Sequence, residues 1–257
     1  MCKPLPPVLS YTIWFSQRTG STLLCHALDS TGVAGHPGEH LQDNNQGTTL
    51  QDLYARHNAR SPAELRSRIW EAASTPNGVL GLKHGIVEPA FTTTLDAFRE
   101  IDGHDGTGPG IWANTIPNGR HIFMTRRNKV RLAVSWWKAI QSQEWHRLHG
   151  VPPQAIDLAD RYAPGPIDQL MSESVMREAA IQEFFAQGKI VPFNVVYEDF
   201  VSGYEQTVFD ILSWLGLESA ATTVAPPAYE RLSDAVSEDW VEQFRHDKQA
   251  GWKYRAW

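Results

Sequence analysis

Val8-Leu-Ser-Tyr-Thr-Ile-Trp-Phe15 runs directly into Ser16-Gln-Arg-Thr-Gly-Ser-Thr22 and then into an apolar run, Leu23 to Leu28. The first eight residues are rich in β-branched and aromatic side chains, which suits a buried strand. The apolar run after the loop suits a helix. A strand, a glycine-bearing loop and a helix, in that order, can bind a phosphate. Gly20 lets the backbone come close to the anion. The free N–H groups of residues 20–23, which end at Leu23, and the positive end of the helix dipole point at it. Ser21 and Thr22 add hydroxyl donors, and Arg18 adds a permanent charge with a forked donor set. The loop is not a Walker A motif, because Phe15 stands where its first glycine belongs and Ser21 where its lysine belongs. Nucleoside triphosphate hydrolysis therefore loses support. Read alone, the segment is also compatible with an ordinary strand–loop–helix and a capping serine.

Outward from this stretch, the chain alternates between the two periodicities. Val79 to His84, His121 to Thr125 and Ile190 to Val196 read as further strands. Helical patterns fall on two polar stretches within residues 50–75, on about Asn128 to Trp145, on residues 165–187, on Tyr204 to Leu215 and from Ser237 on. Gly103 to Gly119 holds five glycines and two prolines and reads as a loop. Such alternation predicts an α/β fold, a P-loop-like and mostly parallel sheet flanked by helices on both faces, in a single domain over residues 1–257. The 257 residues carry a net charge of −6, with 42% hydrophobic and 20% charged side chains. That balance excludes disorder, and it offers no overall attraction to nucleic acid or anionic lipid. The two cysteines, Cys2 and Cys25, are too few for a disulfide framework. No apolar run is long enough to span a bilayer or to serve as a secretory leader, so a soluble, cytoplasmic protein is expected.

Thr125-Arg-Arg-Asn-Lys-Val-Arg-Leu-Ala-Val-Ser135 is the second informative segment. Asn128 is a plausible N-cap, leaving Arg127 at the tip of the strand. Helical spacing then puts Arg127, Arg131 and Ser135 on one polar stripe, with Trp137 on the core side and Trp136 facing elsewhere. The stripe suits a second phosphate; the competing reading is a solvated helix flank. His36-Pro-Gly-Glu-His40 matches the zinc pattern H-x-x-E-H, but Pro37-Gly38 inside it works against the helix that pattern needs, so no metal is expected.

Arg18-Thr-Gly-Ser-Thr-Leu-Leu24, Thr31-Gly-Val-Ala-Gly-His-Pro-Gly-Glu39, Arg126-Arg-Asn-Lys-Val-Arg-Leu-Ala-Val-Ser-Trp136 and Tyr197-Glu-Asp-Phe200 together resemble the sulfotransferases that use 3′-phosphoadenosine 5′-phosphosulfate (PAPS). Among these the chain looks most like the bacterial trehalose 2-sulfotransferase family. The resemblance implies PAPS as co-substrate, with residues 18–23 (Arg18, Thr19, Gly20, Ser21, Thr22, Leu23) on its 5′-phosphosulfate and Arg127 and Ser135 on its 3′-phosphate. It implies Glu39 as the general base on an acceptor hydroxyl, Tyr197 beside the nucleotide, residues 245–252 as a flap over it, and a homodimer. Gln17 and Thr19 stand where the family has Pro and Ser, and His40-Leu41 where it has Tyr-Phe. The acceptor is accordingly read as a hydroxyl of a carbohydrate or small metabolite. Arg18 is the leading cation for the chemistry, with Lys83 at a strand end as the second and His84 as an alternative base. Residues 41–60 and 103–119 are the expected walls of the acceptor pocket. The rivals are a P-loop nucleotide kinase or NTPase, and a non-catalytic nucleotide-binding module.

Overall fold

Every residue of β1 (Leu9–Phe15) after the first is buried, as expected of a strand covered on both faces. In the computed structural model, which describes residues 5–41, 49–158, 160–218, 223–254 and 256, β1 is flanked in parallel by β2 (Val79–His84) and β3 (Gly119–Thr125). β3 carries β4 (Phe193–Val196) on its outer side, giving the parallel order β2-β1-β3-β4. Cys2 and residues 42–48 of the expected acceptor wall lie outside the described residues.

Strand alternation divides the core in two. Tyr11, Ile13, Phe15, Ile122 and Met124 face α1 (Ser21–Asp29) and α9 (Tyr204–Leu215), meeting Leu24, Leu28, Val208 and Leu212. Trp14, Leu80, Leu82 and Phe123 face the other layer. That layer is built from α2 (Leu50–Arg56), α3 (Pro62–Ala73), α4 (Ala90–Asp102), α5 (Gly108–Thr115) and α7 (Pro164–Gly188). A third cluster joins α6 (Lys129–Ser142) to α10 (Ala235–Lys248) through Val134, Trp240 and Phe244. The short α8 (Tyr197–Ser202) follows β4 directly. Among the described residues, no helix is long and apolar enough to cross a membrane.

Two local expectations are corrected. Residues 103–119 are not a plain loop, because they contain α5. Pro109 sits in its first turn, where a missing N–H costs nothing, and burial of Ile111 and Trp112 outweighs the glycines. On α6 the tryptophans exchange roles. Trp136 is buried under the Arg177 guanidinium, whereas Trp137 is only partly buried and donates its indole N–H to the Arg161 carbonyl.

The second layer also holds two histidines in neutral form. His84 lies among Trp14, Phe91 and Trp112, and neither ring nitrogen has a hydrogen-bond partner among the described residues. Burial pushes it down to about 3. His121 accepts the Trp14 indole N–H at 2.9 Å and is pushed down to about 4, also by burial. The unfolded chain therefore binds more protons than the folded one below about pH 6.5, so stability falls as pH drops from there toward 4. The melting temperature is expected to be about 5 °C or more lower at pH 5 than at pH 7, and His84→Leu to shrink that difference. A pH dependence unchanged in His84→Leu would refute this account of His84.

Candidate functional site

The loop leaving β1 turns through two left-handed residues, Arg18 at φ 63° and Gly20 at φ 86°. A Cβ on Gly20 would stand 2.6 Å from the Tyr197 ring, so both conformation and space require glycine there. Thr19 is buried, and its hydroxyl donates to the Ser16 carbonyl at 2.8 Å, closing the loop from within. Among the described residues, no side chain caps the helix α1 that follows. Its first N–H groups, with Ser21, Thr22 and Leu23, face a cavity of about 740 Å³.

This cavity lies beyond the carboxyl ends of β1 and β3, where the strand order switches direction, which is where open parallel sheets place their ligands. Two guanidinium groups meet there. Arg18 donates through Nε to Ser135 Oγ at 3.0 Å and through one terminal nitrogen to the Trp145 carbonyl at 2.5 Å. Arg126 lies over the Tyr197 ring at 4.7 Å. Its Nε has no hydrogen-bond partner among the described residues, with the Glu198 carboxylate 3.8 Å away. Burial, and then the charge of Arg126, push Arg18 down to about 10. Arg126 is lowered as well, chiefly by burial. A cavity walled by two desolvated cations and the open end of a helix suits an anion.

The second expected cradle is organised differently. Glu198 accepts the backbone N–H groups of Arg127 at 2.9 Å and Asn128 at 3.1 Å, while the Asn128 side chain accepts that of Arg131 at 3.0 Å. The start of α6 is thus closed by the protein's own side chains. Arg127, expected to hold the second phosphate, is turned outward onto Asp199 at 2.7 Å, and its side chain is 62% exposed. Arg126 takes the inward place. Alternation along β3 carries the reason, since Ile122, Met124 and then Arg126 follow one side of the strand. Arg131 and Ser135 do line the cavity, although Arg131 is paired to Glu238 through both carboxylate oxygens, at 2.5 and 2.6 Å. The far wall comes from residues 227–233, not from residues 245–252. Arg245 borders a separate hollow beside Arg127, and Trp252 is half exposed.

Glu39 and Lys83 reach the cradle from a third direction. The loop carrying Glu39 lies along β2 through a bridge between Gly38 and Leu82, with the Lys83 N–H donating to the Gly38 carbonyl at 2.9 Å. Arg56 and His57 hold the same loop from α2, donating to the carbonyls of Glu39 at 3.0 Å and His40 at 2.7 Å. Lys83 points to the α1 side of the sheet over the Phe15 ring. Its Nζ lies 2.7 Å from the Glu39 carboxylate and donates to Thr22 Oγ1 at 2.9 Å, with 8% and 19% of the Lys83 and Glu39 side chains exposed. His84, next along the strand, faces the opposite layer and cannot serve this site. The H-x-x-E-H motif disperses its side chains, His36 to Asp29, Glu39 to Lys83 and His40 to the His36 carbonyl. Among the described residues, no group of three candidate ligands could hold a metal ion.

The assembly joins an amide cradle, two guanidinium groups, and a carboxylate linked by a lysine to a cradle hydroxyl. It can hold an anionic group in the cradle, with a carboxylate one side chain away. Comparison with known proteins finds chains that are similar to this one. A family model described as Stf0 sulphotransferase matches residues 10–247. A trehalose 2-sulfotransferase of Mycolicibacterium smegmatis is 30% identical over 93% of this chain and 96% of its own. One from Mycobacterium tuberculosis is 26% identical over 93% and 95%. A sulfotransferase structure from Alicyclobacillus acidocaldarius covers 96% of this chain and 95% of its own at 12% identity, with a TM-score of 0.49.

Proposed function

Because this chain belongs to the Stf0 sulphotransferase family, we propose that it is a single-domain enzyme that moves a sulfuryl group from PAPS to a hydroxyl of a sugar or similar small metabolite. The observation that carries the reading is the Lys83 link, which brings Glu39 within one side chain of Thr22 in the phosphate cradle. The cavity residues fit the donor. The free amides of α1, Ser21, Thr22 and Arg18 would hold the 5′-phosphosulfate, and Ser135, Arg126 and Arg131 the 3′-phosphate, in place of Arg127. Tyr197 lies against Gly20 at the nucleotide's edge. The names of the two mycobacterial relatives support a sugar acceptor.

In this reading the acceptor hydroxyl gives its proton to Glu39 as its oxygen bonds to sulfur. The bond between sulfur and the 5′-phosphate oxygen breaks, leaving 3′,5′-adenosine bisphosphate. Lys83 orients Glu39 and Thr22, while Arg18 stabilises charge on the leaving phosphate. A melting assay separates this reading from a nucleotide kinase. At about 100 times its dissociation constant, 3′,5′-adenosine bisphosphate stabilises by about 2.7 kcal/mol, a rise of several degrees. ATP with Mg²⁺ is expected to give no comparable rise, and the reverse order would favour the kinase. Sulfation of a panel of sugars with labelled PAPS then identifies the acceptor; if no hydroxyl compound is ever sulfated, the binding-module alternative stands.

A further inference from the structure

Just past α6 stands a group that the reaction above does not use. Gln143, at φ 57°, ends the helix, and the chain turns back over the cradle. Trp145 gives its carbonyl to Arg18, and His146 brings Nε2 to 3.5 Å from Thr22 Oγ1. That separation is too long for a strong hydrogen bond, so the ring stands beside the cradle without being tied to it. The same hydroxyl already accepts from Lys83, which in turn holds Glu39. One line of contacts thus runs from Glu39 through Lys83 and Thr22 to His146. His146 is at the end away from Glu39, beside the cradle hydroxyl. Its ring also borders the cavity and lies against Tyr229, with centroids 5.5 Å apart.

We propose that His146 is a further catalytic residue, whose imidazole hydrogen-bonds the 5′-phosphosulfate at Thr22 and takes up a proton as that group binds. The inference rests on the reading of the cavity as the donor site. The charged or titratable groups facing the ring are Arg18 from the β1–α1 loop, Lys83 from β2 and Tyr229 from the far wall; Glu144 and Arg147, in its own segment, pair with each other. Burial, then Arg18 and Lys83, push His146 down to about 4, so it is neutral at neutral pH. An anion placed between these cations and the ring reverses the local field and favours the imidazolium. Nε2–H then donates to the oxygen of the leaving phosphate as its bond to sulfur breaks. The proton stays on nitrogen throughout and returns to solvent when the product leaves.

The test is calorimetry of 3′,5′-adenosine bisphosphate binding at pH 6.5 in buffers of different ionisation enthalpy. It compares the intact protein with His146→Gln, whose amide can donate but cannot titrate. On binding, the intact protein is expected to take up more protons than His146→Gln does, by about half a proton or more. With saturating PAPS, kcat of the variant is expected to fall about 10²-fold. Tight binding with equal proton uptake in both proteins overturns the role of His146 and leaves the donor site standing. No binding by the intact protein overturns the donor-site reading and this inference with it. His146→Asn carries the same expectations and replaces the glutamine variant if melting shows that variant unfolded.

Discussion

Glu39→Gln is expected to lower kcat by about 10²- to 10⁴-fold, the range for losing a positioned proton acceptor, while binding of 3′,5′-adenosine bisphosphate stays within a few-fold of normal. The amide has the shape of the carboxylate, so packing under β2 and the contact with Lys83 are conserved in outline. What it removes is the capacity to accept the acceptor's proton. The loop itself is held by backbone contacts that this substitution does not touch, from Lys83, Arg56 and His57 to the carbonyls of residues 38–40. Turnover that survives in Glu39→Gln would show that another group is the base. A joint loss of turnover and nucleotide binding would instead mark Glu39 as structural.

The second large effect is expected at Arg18. Arg18→Ala removes one of the two desolvated guanidinium groups that meet over the cradle and the bonds that tie the β1–α1 loop to Ser135 and to the Trp145 carbonyl. We expect kcat/KM for PAPS to fall by about 10²- to 10³-fold, as when one preorganised donor to developing negative charge is lost. Arg18→Lys restores the charge but not the fork, and is expected to recover only part of the loss. With its pKa pushed down to about 10, Arg18 is charged throughout the neutral range. Its contribution is therefore present below about pH 10 and lost only above it, so no neutral-pH limb belongs to this residue. Full activity in Arg18→Ala would move the donor's leaving group to another part of the cavity, with Arg126 as its cation.

Much of this architecture was legible in the chain. The strand–loop–helix over residues 8–28 is written in local terms, with β-branched and aromatic residues, then a glycine that must take a positive φ, then an apolar run. The parallel sheet follows from the alternation of such segments. The α5 helix was hidden because its glycines and Pro109 signal a loop locally. Only burial of Trp112, which donates to Thr12 Oγ1 at 3.3 Å across the interior, reverses that signal.

The choice between Arg126 and Arg127 is the sharper case. Both stand at one strand tip, and helical spacing favoured the second. Glu198 and Asp199, some seventy positions away, capture the amide and guanidinium of Arg127 and leave Arg126 to the cavity. In the same way, no spacing could announce that Lys83 joins Glu39 to Thr22 or that His146 stands at the end of that line. The order of residues was enough to set the strands and the cradle, because hydrogen-bond periodicity and backbone freedom act over a few residues. Which charges share the cavity was settled only by folding, because that depends on contacts between segments whose separation along the chain carries no local signal.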